Sequence, residues 1–196
     1  MGAQKDKIII GLSGASGVCY GVRLLALLQQ VDIETHLIMS RSAKVTLGYE
    51  MDMKVAEVQA LADCVHSVDD IGAAISSGSV KTRGMLIVPC SVRSMSEIAT
   101  GVTSTLLTRA ADVVLKEKRR LVLMVRETPL HTGHLRTMTA LSEMGAIIAP
   151  PAPAMYARPK SLEDMIDHTL GRMLDLFDLD IGQVKRWKSE ELSEET

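Results

Sequence analysis

Arg120-Leu121-Val122-Leu123-Met124-Val125 carries five apolar residues in a row, runs into Arg126-Glu127, and is closed by Thr128-Pro129. An apolar run of that length without alternation fits a strand covered on both faces, as in parallel sheets. Comparable strand patterns occur at Lys7–Leu12, Glu34–Met39, Met85–Val88 and Ala146–Ala149, with a short apolar piece at Cys64–His66. Helical spacing fills the intervals: Val18–Val31, Ser42–Glu50, Lys54–Ala62, Val92–Ala99, Ser104–Lys118 and Gly133–Glu143. A last helix opens at Ser161, a good N-cap with Asp164 three residues on. Its apolar stripe is Leu162, Met165, Ile166, Leu170, Met173, Leu174 and Phe177. Ala73–Arg83 is polar and reads as loop, Pro89 is expected to stop the strand before it, and Pro150, Pro151 and Pro153 stiffen another loop. Strands alternating with helices predict an α/β protein, a three-layer Rossmann-like fold on a mostly parallel, doubly wound sheet. No linker divides the 196 residues, so a single domain is expected, with Lys188–Thr196 as a frayed charged tail.

A formal net charge of −2 argues against a general nucleic-acid binder. One Trp, one Phe and three Tyr leave little for base stacking, so the core must be aliphatic and rich in methionine. Cys19, Cys64 and Cys90 are odd in number and lack C-x-x-C spacing, which fits reduced thiols better than a disulfide frame or a zinc site. No apolar run approaches a membrane span, and the polar segment Met1–Lys7 does not read as a signal peptide, so a cytoplasmic location is expected.

In open α/β sheets ligands collect at the carboxyl ends of the strands. Arg126 and Glu127 stand at such an end and offer an anion clamp beside a proton-transfer group; a surface ion pair is the competing reading. The first strand runs into Gly11-Leu12-Ser13-Gly14-Ala15-Ser16-Gly17 and then a helix, whose N-terminal amides would face an anion. This is neither G-x-G-x-x-G nor a Walker loop. The second strand closes with Met39-Ser40-Arg41 instead of the acidic residue a dinucleotide ribose wants, which favours a mononucleotide phosphate over NAD and leaves NADP only through Arg41. Pro89-Cys90-Ser91-Val92-Arg93-Ser94 ends another strand in small hydroxyl residues, suited to capping a helix or to holding a polar ligand edge. No local histidine activates Cys90 as a nucleophile. Arg109 and Lys116 lie seven residues apart on one helix face, with Asp112 between them placed for ordinary ion pairs. Arg172 borders the stripe of the last helix, and Tyr156 sits in the proline-rich loop before it. His131 and His134 lack the partners of a metal site, and no G-x-S-x-G elbow is present.

As an ordered set these segments resemble the flavin prenyltransferase family, the UbiX-like proteins, including the short subunit-B members associated with aromatic-acid decarboxylases. The resemblance runs from Ile8 to Trp187. It rests on Gly14-Ala15-Ser16-Gly17, Met39-Ser40, Ile87-Val88-Pro89-Cys90-Ser91, the helix Arg109 to Glu117, Arg126-Glu127-Thr128-Pro129-Leu130 with His134-Leu135, Pro150 to Tyr156, Arg172 and Arg186-Trp187. It implies a flavoprotein fold and transfer of a dimethylallyl group from dimethylallyl monophosphate to reduced FMN, with new bonds at flavin N5 and C6 and no metal. The product would serve a UbiD-like decarboxylase, and the enzyme would be a homododecamer with sites at subunit interfaces. Carried over by position, Gly14, Ala15, Ser16, Ser40, Ser91, Val92, Arg93, Ser94 and Arg126 would hold FMN. Arg109, Lys116, Tyr156 and Arg172 would hold the prenyl phosphate, with Trp187 closing over it. Glu127 would move a proton near N5, Lys116 would also act in catalysis, and Glu50 matches a further acidic position of the site. Two positions depart from the family: Val125 replaces a proline before Arg-Glu, and Arg136-Thr137 replaces Glu-Asn. The related cysteine decarboxylases carry Pro-x-Met-Asn where this chain has Pro153-Ala154-Met155-Tyr156; a non-catalytic FMN carrier or decarboxylase accessory subunit is the remaining alternative.

Overall fold

The apolar runs assemble into one sheet whose six strands are all parallel: β1 (Lys7–Leu12), β2 (Glu34–Met39), β3 (Cys64–His66), β4 (Gly84–Cys90), β5 (Arg120–Val125) and β6 (Ile147–Ile148). The structure, a computed structural model, describes residues 5–182, 184, 186 and 187; the expected tail Lys188–Thr196 and the start of the polar N-terminal segment lie outside the described residues. The strand order is β3-β2-β1-β4-β5-β6. The chain thus winds outward from β1 to β3, returns beside β1 at β4, and winds the other way to β6. Right-handed crossovers then place α1 (Val18–Leu28), α2 (Arg41–Glu50) and α3 (Val55–Gln59) on one face. They place α4 (Val92–Ala99), α5 (Leu106–Lys116) and α6 (Thr132–Glu143) on the other.

Burial on both faces removes the alternation that a half-exposed strand would show. Ile8, Ile9, Ile10 and Leu12 of β1 and Leu121 to Val125 of β5 are all buried. On one face Ile9, Ile38, Met85, Ile87, Leu121 and Leu123 pack with Leu107, Ala110, Ala111 and Val114 of α5 and Leu141 of α6. Methionines 39, 85, 95 and 124 are buried in this unit, in keeping with a core short of aromatics.

Local chemistry accounts for the small departures. β4 does not stop at Pro89 but runs on to Cys90, and its pairing with β5 slips between Ile87 and Cys90, where proline has no N–H to give the ladder. α1 ends at Leu28, because the next amides, of Gln30 and Val31, bond three residues back in a tightened turn. The loop expected at Ala73–Arg83 contains a 3₁₀ turn, Ala74–Ser76, that buries Ile75. No described helix is long and apolar enough to cross a membrane.

The chain divides into two compact units, Met1–Pro151 and Ala152–Thr196. The second holds a 3₁₀ turn at Met155–Ala157 and α7 (Leu162–Asp175). Ser161 caps α7 as its sequence predicts: its hydroxyl accepts from the Asp164 amide at 3.1 Å, and the Asp164 carboxylate accepts from the Ser161 amide at 3.2 Å. Ile166, Leu170, Met173, Leu174 and Phe177 of the stripe are buried, whereas Leu162, in the first turn, is exposed.

Two helical glycines make opposite predictions. A Cβ on Gly21 of α1 would meet the Val88 carbonyl oxygen and lie 2.8 Å from Leu12 Cγ, so this helix approaches the sheet at a distance only glycine allows. A Cβ on Gly48 of α2 would meet nothing within 4 Å. Gly48→Ala should therefore stabilise the protein by about 0.5–1 kcal/mol through helix propensity. Gly21→Ala should destabilise it by about 1–3 kcal/mol despite the same propensity gain. Urea unfolding midpoints of the two variants check the sign of each.

Candidate functional site

The winding direction reverses between β1 and β4, and there the segments leaving β1, β4 and β5 open a cleft at the carboxyl end of the sheet. A cavity of about 610 Å³ is lined by Gly14, Ala15 and Ser16 after β1, by Ser91, Val92 and Arg93 after β4, and by Val125 to Thr128 at the end of β5, with Pro150 and Pro151. A second cavity of about 360 Å³ shares Gly14, Ser91 and Arg93 with the first and extends to Ser40, Ser94, Ser104 and Thr105. All nine residues expected to hold FMN line one or both cavities, and Glu127 lines the larger.

The smaller cavity is built from helix starts. Ser40 caps α2 by accepting from the Ala43 amide at 3.0 Å, Ser91 caps α4 by accepting from Ser94 at 3.3 Å, and Thr105 caps α5 by accepting from Thr108 at 3.3 Å. Three positive dipole ends thus meet in one small space, an arrangement suited to a phosphate. The charged side chains on its wall are internally balanced: Arg41 bonds Asp69 at 2.9 Å and Arg93 bonds Glu97 at 2.9 Å. Arg41 is thereby committed to a carboxylate on the wall, a poor arrangement for a second phosphate of the NADP type.

Glu50 changes the expected role of the glycine loop. Its carboxylate accepts from the Gly17 amide at 2.8 Å and the Val18 amide at 2.9 Å, so the first N–H groups of α1 are spent on the protein itself. The helix starts that line the smaller cavity are those of the three other helices. Burial alone would raise the Glu50 pKa, but bonds from the Ser16 hydroxyl and the Val18 and Gly17 amides, with the charge of Arg126, outweigh it and hold the carboxyl below its usual range. Gly17 is left-handed at φ 98°, and a Cβ there would lie 2.9 Å from Arg126 Cδ, so the Arg126 side chain lies directly against the loop.

Ser13 is a structural member of the site that sequence reasoning passed over. Fully buried, it donates its hydroxyl to the Pro89 carbonyl oxygen at 2.9 Å and accepts from the Ser91 amide at 2.7 Å. Ser104, Thr105, Asp69 and Glu97 also line the smaller cavity and were not singled out in the sequence. Burial pushes the Cys90 thiol up to about 12, which removes it as a nucleophile. His131 caps α6 with Nδ1, accepting from the Gly133 amide at 3.0 Å, and stacks on His134 with ring centroids 3.6 Å apart.

The residues expected to hold a prenyl phosphate fall in both units, Arg109 and Lys116 in the first and Tyr156 and Arg172 in the second. Arg109 and Lys116 line neither cavity. Arg109 bonds Asp112 at 2.8 Å and Lys116 bonds Glu117 at 2.6 Å. At 1.5 Å per residue, Lys116 lies roughly 14 Å along α5 from Leu107, which is on the cavity wall. Within the second unit Tyr156 meets Trp187 edge to face at 5.3 Å and His168 at 5.7 Å, while Arg172 bonds Asp175 at 2.6 Å.

The profile of the family described as Flavoprotein matches residues 2–179. The flavin prenyltransferase UbiX of Escherichia coli K12 is 57% identical over 185 residues, 93% of this chain and 98% of that protein. The chain belongs to the UbiX-like flavoprotein family. The solved structure of AnUbiX (PadA1) in complex with FMN and dimethylallyl pyrophosphate superimposes with a TM-score of 0.92 at 47% identity, covering 94% of this chain and 98% of that one. The dodecameric FMN-dependent UbiX-like decarboxylase of Escherichia coli O157:H7 gives 0.90 at 46%, covering 92% and 98%. Of the two departures from the UbiX-like pattern, Val125 lies on the wall of the larger cavity, and Arg136 is exposed on α6.

Because its folded pKa is depressed, Glu50 contributes stability that is present above the usual carboxylate range and lost as pH falls through its folded value. Glu50→Gln should therefore lower the urea midpoint near pH 7 and lower it by less at an acidic pH below the usual carboxylate range. An equal loss at both pH values would show that the carboxylate charge plays no part.

Proposed function

We propose that this protein is a flavin prenyltransferase that moves a dimethylallyl group from dimethylallyl monophosphate onto reduced FMN, joining it at N5 and C6. The observation that carries this reading is the pair of adjoining cavities on which all nine FMN positions meet at the strand-order reversal. The relatives named flavin prenyltransferase, at 51–57% identity over nearly the whole chain, support the same activity.

In this reading the smaller cavity takes the flavin phosphate on the amide ends of α2, α4 and α5, and the larger takes the ring system. Bound there, reduced flavin supplies the nucleophilic positions. Ser13 keeps the loops after β1 and β4 in register, and Glu50 with Arg126 fixes the glycine loop against the ring edge. Glu127, on the wall of the same cavity, holds or moves a proton near N5. Breaking the allylic C–O bond places positive character on the prenyl group and negative charge on the departing phosphate. Arg109, Lys116, Tyr156 and Arg172 stabilise that phosphate, Trp187 closes over it, and the released phosphate serves as a further acid-base partner. Since Arg109 and Lys116 line neither cavity of their own chain, a neighbouring copy supplies them, in a homododecamer like the dodecameric relative.

The product passes in the cytoplasm to a UbiD-like decarboxylase. The cysteine-decarboxylase alternative wants an asparagine where Tyr156 stands.

The deciding experiment incubates the protein with reduced FMN and dimethylallyl monophosphate, removes the protein by ultrafiltration under anaerobic conditions, and adds the filtrate to an apo-decarboxylase. Restored decarboxylation and a flavin heavier by one prenyl group are expected. Activity that needs both proteins together would favour an accessory subunit, and decarboxylation of an acid by this chain alone would overturn the reading. Glu127→Gln should bind FMN normally and lose about 10²–10⁴-fold in single-turnover prenyl transfer. Arg172→Ala and Tyr156→Phe should raise the prenyl-donor requirement while FMN affinity, read by flavin fluorescence, stays within a few fold; lost FMN binding in Arg172→Ala would remove that residue from the donor site.

A further inference from the structure

At the opposite end of the sheet two sequence fragments, Glu34-Thr35-His36 on β2 and Cys64-Val65-His66 on β3, fall into parallel register with His36 paired to Cys64. Side chains two residues apart on a strand share a face. Glu34, His36, Cys64 and His66 therefore project from one face of the sheet edge. The donor atoms of Glu34, His36 and Cys64 all lie within 4.8 Å of one another. Glu34 Oε1 is 2.9 Å from His36 Nε2 and 3.8 Å from Cys64 Sγ.

We propose that Glu34, His36 and Cys64 form a binding site for a thiophilic divalent cation such as zinc, separate from the flavin cleft. Metal–ligand bonds of 2.0–2.3 Å in a tetrahedron put donor atoms roughly 3.3–3.7 Å apart, a spacing that the 2.9 and 3.8 Å separations from Glu34 bracket and that the His36–Cys64 pair, within 4.8 Å, reaches by a small side-chain adjustment. Carboxylate, imidazole and thiolate together match zinc or cobalt(II) and disfavour magnesium or calcium. His36 has the partner that metal-bound histidines need, since its Nδ1 lies 2.9 Å from His66 Nε2. With Nε2 on the metal, Nδ1 carries the proton and donates it to His66. The Cys64 thiol loses its proton to solvent on binding.

A cavity of about 700 Å³ lined by Lys7, His36, Lys81 and Thr82 opens onto the histidine and gives an entry path. Lys7 Nζ donates to the same Glu34 oxygen at 2.7 Å and is the cation that a metal must replace there. The site is remote from the flavin chemistry: His36 lies four residues before Ser40 on β2, roughly 13 Å along the strand. Three protein ligands leave a fourth position for water, and the metal would pin the short edge strand β3 to β2.

Cobalt(II) titration of the full chain tests the site, since thiolate ligation gives a charge-transfer band in the near ultraviolet. One equivalent should bind with that band. Cys64→Ala should lose the band, His66→Gln should weaken cobalt affinity about 10-fold, and Lys7→Met should tighten it. Zinc should raise the melting temperature of the parent protein and not of Cys64→Ala, whose prenyl transfer remains at the parental rate. Absence of a thiolate band in the parent chain, or its persistence in Cys64→Ala, would overturn the proposal. Circular dichroism of Cys64→Ala establishes that a lost band is not lost folding.

Discussion

Two loops leave the middle of the sheet side by side, one after β1 and one after β4, and a single buried hydroxyl ties them. Ser13 donates to the Pro89 carbonyl and accepts from the Ser91 amide, and its own amide donates to Pro89 at 3.2 Å. A buried hydroxyl is tolerated only when its hydrogen bonds are made, and here all of them run between the two segments that form the cleft. The glycine loop and the cap of α4 are thereby one rigid piece, shared by both cavities. Nothing comparable could be supplied by side chains reaching in from the surface, where side-chain entropy would oppose a fixed geometry.

Glu50 performs the matching task on the other side of the loop. By taking the amides of Gly17 and Val18 it settles the start of α1 within the protein and leaves the ends of α2, α4 and α5 to face the smaller cavity. A chain with a glycine loop and four nearby helix starts has several places to hold an anion. An internal carboxylate decides among them.

Much of this was legible in the sequence because the fold is fully two-sided: β1 and β5 are buried on both faces and so read as unbroken apolar runs. The start of α7 was legible because Ser161 preceded its pattern, whereas α2 and α5 begin at Arg41 and Leu106 and not at the expected Ser42 and Ser104. The extension of β4 through Pro89 was not, since a proline normally ends a strand and the register slip that accommodates it depends on the neighbour β5. The residues that line the two cavities were legible as an ordered set because they follow strand ends, and strand ends in such a sheet converge. Glu50 was legible as an acidic position but not as the anchor of α1, because its partners stand 32 and 33 residues away. Likewise the E-T-H and C-V-H fragments look unremarkable until pairing of β2 with β3 sets them opposite one another. Lys116 and Arg109 shared a helix face in the sequence, but only the placement of α5 shows that this helix runs away from its own cleft.

The balanced wall of the smaller cavity carries a consequence for how an anion is selected there. With Arg41 and Arg93 each matched to a carboxylate, attraction comes mainly from oriented amides and hydroxyls instead of net charge. Fields from paired charges and dipoles fall off faster than those of lone cations and are felt only at contact range. Ionic strength should therefore alter capture of a phosphate monoester far less than it would at a lysine-lined groove. Discrimination then depends on fitting the tetrahedral group among three helix ends, and polyanions that rely on bulk attraction gain little from this surface.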